Sequence, residues 1–168
     1  MIWQTILLAI SAIIFFGFVI FGVKKFGLLS CYSAYGPKWA PEYASQLNPW
    51  QVVTFLSAAL MMPVILSQSF GNPWQFLGFL APVCLSCVAA SPNYQDGGFY
   101  NVLHQIGAWG TVAFIILWTI FVNPWMVLVS LPFLVASVVL GICIRGTWLF
   151  WGEMAMYLST YIILFTML

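Results

Sequence analysis

Charge is what this sequence has least of: four basic and three acidic side chains in 168 residues, or 4%, against roughly a quarter in an ordinary soluble domain. So few charges cannot clothe a water-soluble surface, so the solvent implied is lipid. Histidine is nearly missing too, with one residue, His104, and a lone histidine supplies too little for multi-histidine metal chemistry. The chain has no Gly-x-Ser-x-Gly elbow, no His-Glu-x-x-His pair and no phosphate loop. An enzyme is therefore the least supported class. The net charge of +1 offers no basic field, which sets nucleic acid aside as a partner. No basic leader and cleavage site precede the first apolar run, which goes from Met1-Ile2-Trp3-Gln4 to Val23, so that run is expected to be a retained span.

What is present is hydrophobic: 64% of the 168 residues are hydrophobic, and 18% of the 168 are aromatic. Apolar stretches of about the length a bilayer core demands fall at about 3–23, 49–68, 73–90, 101–121, 124–144 and 147–167. The expected fold is an all-α transmembrane bundle, a single domain over 1–168 with six spans (five being the alternative count) and a long interfacial connection over 24–48. Three of the starts carry one device, Asn48-Pro49-Trp50, Asn72-Pro73-Trp74 and Asn123-Pro124-Trp125. Asn suits the N-cap, Pro the first helical position and Trp the membrane interface. Pro63, Pro82 and Pro132 lie inside spans and loosen them, each by removing one helical hydrogen bond.

Under six spans, Lys24, Lys25, Lys38 and Arg145 share one side with Glu42 and Asp96, and the other side has no charged side chain. Basic connections stay in the cytoplasm, so both termini are expected on the opposite side of a bacterial inner membrane or plasma membrane. Cys31, Cys84, Cys87 and Cys143 map to the same cytoplasmic half, where thiols remain reduced. Cys84-Leu85-Ser86-Cys87 falls inside a span, so a redox reading lacks the exposed, acidified thiol that it needs; no metal or cofactor is assigned. The Tyr32, Tyr35, Trp39 and Tyr43 side chains suit a connection lying in the headgroup layer.

Glu153 is the exception to the charge pattern. It lies inside the last span, roughly 9 Å beyond its cytoplasmic start, where a carboxylate costs about 3 kcal/mol or more unless paired, hydrated or protonated. Tyr157, Thr160 and Tyr161 follow on one helical face, beside a strip of small residues, Gly152, Ala155 and Ser159, suited to close helix approach. His104 opens the fourth span at similar depth and is the candidate partner for Glu153, with Asp96, Arg145 and Lys24 at the rim. Gly107, Ala108 and Gly110 keep the His104 helix slim. These side chains make an expected ligand, proton or ion pathway: Glu153, His104, Tyr157, Thr160 and Tyr161. The same residues also fit a simple interhelical tie.

The stretch Leu103-His104-Gln105-Ile106-Gly107-Ala108, after Val88-Ala89-Ala90-Ser91-Pro92, together with Trp148-Leu149-Phe150-Trp151-Gly152-Glu153, resembles a pattern in small uncharacterised six-helix membrane proteins loosely similar to the DRAM and FGF-receptor-activating-protein group. That resemblance implies six spans and carries no activity. Two functions follow as expectations. One is a small transport or channel-like protein, or a binder of lipid or another apolar small molecule, in contact with membrane lipids and working as a homo-oligomer. The other is a non-catalytic subunit or assembly factor of a larger membrane complex.

Overall fold

The computed structural model describes residues 2–39 and 48–168. Glu42 and Tyr43, assigned above to the charged side and the interfacial connection, lie outside the described residues. Every regular element described is helical: α1 (Ile2–Phe26), a 3-10 turn (Tyr32–Ala34) running into the short α2 (Tyr35–Trp39), α3 (Pro49–Gln68), α4 (Gln75–Ala89), a second 3-10 turn (Tyr94–Asp96), α5 (Gly98–Val122), a third (Pro124–Met126) leading into α6 (Val127–Cys143), and α7 (Trp148–Thr166). Five helices are long and apolar enough to cross a membrane: α1, α3, α5, α7, and α6 taken from Pro124. The helix α4 is apolar but shorter.

Their apolarity has little periodicity because the surroundings are apolar on both sides: lipid outside, protein inside. Polar residues and glycines then decide which face turns inward. Ser11 and Thr54 are fully buried within the bundle. Gly107 and Gly110 let α5 lie directly on α4: a Cβ at Gly107 would stand 2.7 Å from the Cys84 carbonyl oxygen, and one at Gly110 would stand 2.6 Å from Cys84 Sγ. Besides α4 on α5, the extensive packings are α6 on α7, and α3 on both α1 and α4. The close approach of α6 to α7 runs through Gly141, whose Cβ would meet Trp148 at 2.8 Å. Gly152, expected in a small-residue contact strip, faces open space instead, with nothing within 4 Å, although Ala155 and Ser159 are buried.

The three Asn-Pro-Trp starts diverge. Asn48 caps α3 in a full capping box: its side chain accepts from the Gln51 N–H at 2.9 Å, and the Gln51 side chain accepts from the Asn48 N–H at 3.1 Å. Asn72 instead turns the chain by accepting from the Trp74 N–H at 2.9 Å, and α4 starts only at Gln75. Asn123 makes no side-chain cap and leads into a 3-10 turn. Pro63, Pro82 and Pro132 all lie within helices that continue through them.

The connection after α1 is the least expected part of the core. Tyr32, Tyr35 and Trp39 are at most 3% exposed, covered by protein rather than lying on its surface. Tyr32 packs among Phe15, Trp50 and Tyr157, and its hydroxyl meets Thr54 Oγ1 at 2.9 Å. The Phe150 N–H donates to Ser30 O at 2.9 Å, tying this segment to the start of α7.

Candidate functional site

The start of α7, the start of α5, the end of α4 and the two 3-10 turns at Tyr32 and Tyr94 meet at one end of the bundle. Here α7 stands away from the α4–α5 pair and leaves a cavity of about 220 Å³. Its loop-side end is polar, with Cys31, Ser33, Tyr94, His104, Glu153 and Tyr157. Its deeper wall is apolar, with Met61, Ala81, Leu85, Val112 and Ile115. Gln105, Trp109 and Leu149 line it while remaining exposed, so they mark a mouth between α5 and α7 that faces outward from the bundle.

Glu153 is placed by the helical register of α7 and keeps part of its surface open. Its carboxylate accepts from the Tyr32 backbone N–H, and Ser33 lines the same space. It thus does for the 3-10 turn what an N-cap does for a helix, by accepting from a donor that has no partner within its own turn. A carboxylate has about four acceptor positions, so this leaves capacity directed toward the cavity. Tyr157, one turn on, lies against Phe15 with ring centroids 4.0 Å apart.

His104 is buried and takes other partners than Glu153. Its ring stacks on Tyr94, centroids 3.9 Å apart and 15° between planes, and its Nδ1 lies 3.4 Å from Ser91 Oγ. The Tyr94 hydroxyl is 3.8 Å from Cys31 Sγ. His104 and Glu153 therefore belong to one polar cluster bridged by Tyr94 and Cys31 and do not form a direct pair. Outside the spans, burial raises the Cys31 thiol and then Glu153 raises it further. Burial also pushes the Tyr94 hydroxyl up to about 12. Both groups stay protonated at neutral pH.

Of the residues expected from the sequence, Glu153, His104, Tyr157 and Thr160 line the cavity. Thr160 is spent on its own helix, donating to Met156 O at 2.7 Å. Tyr161 turns away and meets Ser11 Oγ at 2.7 Å, joining α7 to α1. Asp96, Arg145 and Lys24 are exposed and do not line the cavity. Cys31, Tyr32, Ser33 and Tyr94 complete the site without having been anticipated there. Among the described residues, no group of three or more His, Cys, Asp and Glu side chains is placed to hold a metal ion. Comparison of the chain with known protein families, curated proteins and solved structures finds no match.

Proposed function

We propose that this protein binds a small apolar molecule, or one end of a lipid, within the membrane through the cavity between α5 and α7. The observation that carries the reading is the cavity's division into an apolar wall and a polar end built around Glu153. Mostly apolar linings with a few placed polar groups are the usual make-up of small-molecule sites. At about 220 Å³ the space lies below the usual range for drug-sized ligands, about 300 Å³ and upward. That suits a compact ligand, or a head group whose chain leaves through the mouth past Trp109.

The reading places the site in the cytoplasmic half of a six-span bundle with its termini outside. The basic residues at the ends of the connections support that orientation. So does the position of α4 between α3 and α5, although its 15 residues reach only about 22 Å. Labelling with an apolar diazirine probe in lipid nanodiscs tests the binding. Saturable labelling is expected in the wild type and is expected to vanish in Ala108→Trp, which fills the cavity. Labelling that does not saturate, or that the tryptophan leaves unchanged, would refute the proposal.

A second reading, a subunit of a larger membrane complex, has one specific observation behind it. The span Pro124–Cys143 is only 11% buried, and Leu128, Leu131, Val135, Val138 and Ile142 are exposed along it. The mass of the particle extracted in mild detergent distinguishes the two. A heteromeric particle is expected on the second reading, and a monomer or homo-oligomer would count against it.

A further inference from the structure

We propose that the cavity selects lipophilic cations, amines or quaternary ammonium groups carried on a compact apolar body, with Glu153 as counter-ion. The proposal rests on the reading of the cavity as a ligand site and assigns its ligand chemistry. Among the described residues, Glu153 is the only acidic side chain lining the cavity, and no lysine or arginine lines it. The Lys25 ammonium lies over the Trp39 ring, 3.9 Å from its centroid. Arg145 and Lys24 are exposed outside the cavity. A carboxylate at membrane depth with no basic side chain beside it among the described residues favours a positive guest and repels an anionic one.

The rings around Glu153 point the same way. Tyr32, Tyr94, Tyr157 and Trp109 line the same space; Trp109, exposed at the mouth, has its ring open to an alkylammonium ion, which aromatic rings attract. One of the carboxylate's acceptor positions is used by the Tyr32 N–H. The remaining capacity is what a cation, or a hydrogen-bond donor on it, would engage.

A proton and a cation compete for one carboxylate, so cation affinity falls as pH falls. Among the described residues, the titratable groups lining the cavity with Glu153 are Cys31 and Tyr32 on the connection after α1, Tyr94 on the turn before α5, His104 on α5 and Tyr157 on α7; α3 and α4 line it with none. Protonation of His104 adds a positive charge and changes affinity in the same direction. The cysteine and tyrosines are neutral at neutral pH and lower, so they do not oppose it.

The test uses three competitors of one shape against the diazirine probe in nanodiscs: benzyltrimethylammonium, its neutral carbon analogue neopentylbenzene, and the anion phenylmethanesulfonate. Comparing each competitor between wild type and Glu153→Gln cancels differences in partition into lipid. The glutamine keeps an acceptor for the Tyr32 N–H. The expected result is that Glu153→Gln weakens the ammonium at least tenfold and leaves the neutral analogue unchanged, while Glu153→Asp retains the ammonium preference. Should Glu153→Gln not fold, the pH series on the wild type decides: ammonium potency is expected to fall on acidification while neopentylbenzene does not change. Saturable labelling with no effect of charge on competition, or with the anion preferred, would overturn the cation assignment and leave apolar binding standing. Absence of saturable labelling would overturn the underlying reading.

Discussion

Glu153 has two tasks that separate by substitution. It caps the 3-10 turn at Tyr32 and it faces the cavity. Replacing it with leucine leaves the Tyr32 N–H without its acceptor, a loss of about 1–3 kcal/mol. The expected outcome is a lower thermal midpoint for Glu153→Leu than for Glu153→Gln in the same detergent. Equal midpoints would remove the capping role. Cys31 offers a second check. Its thiol is buried and raised, so little thiolate is present at neutral pH and reactivity grows only as pH rises toward the folded-state value. Mass spectrometry after maleimide treatment at neutral pH is expected to find Cys143, which is exposed, modified well before Cys31. Glu153, His104, Tyr157 and Thr160 were legible in the sequence because helical register alone gathers them on inward faces. Cys31, Tyr32, Ser33 and Tyr94 were not, because they reach the site through connections, whose paths no periodicity encodes.

At the scale of elements, glycines set how closely helices approach. At Gly107 a Cβ meets backbone of α4, the Cys84 oxygen at 2.7 Å and the Val88 nitrogen at 2.9 Å, which cannot move away as a side-chain tip can. Gly107→Ala is expected to cost about 1–3 kcal/mol, whereas Gly152→Ala, with open space around it, is expected to be neutral or to gain slightly from helix propensity. Thermal unfolding of the two variants side by side checks the contrast, and equal effects would contradict it. The slim His104 helix was readable from Gly107 and Gly110. The role expected of Gly152 was not met, because a small-residue strip says that close approach is sterically allowed without saying which neighbour comes near. The Asn-Pro-Trp starts teach a similar lesson. One Asn-Pro-Trp-Gln run becomes a capping box at Asn48, where the Gln51 side chain reaches back to the Asn48 N–H, and a turn at Asn72, where the Gln75 side chain donates to Leu66 O instead.

For the whole molecule, lipid as solvent explains why the all-helical fold was legible and the packing partners were not. Continuous apolar runs identify spans by length, but helices apolar on every side carry no stripe that names the face meeting a neighbour. Orientation is tested by epitope tags. One inserted after Gln95 is expected to be reached only from the cytoplasmic side, and one appended after Leu168 only from the opposite side. Both tags on one side would contradict the six-span topology. The central claim is that α5 and α7 enclose a ligand site, and α6, exposed along most of its length, provides an internal control for it. The most direct measurement is to map diazirine labels by peptide mass spectrometry in wild type and in Ala108→Trp. Saturable labels are expected on peptides spanning 104–115 and 149–160 and are expected to be lost in the tryptophan variant, while labelling over 128–142 stays linear in probe and unchanged. Labelling that is uniform over all three peptides, or indifferent to the tryptophan, would contradict a binding cavity.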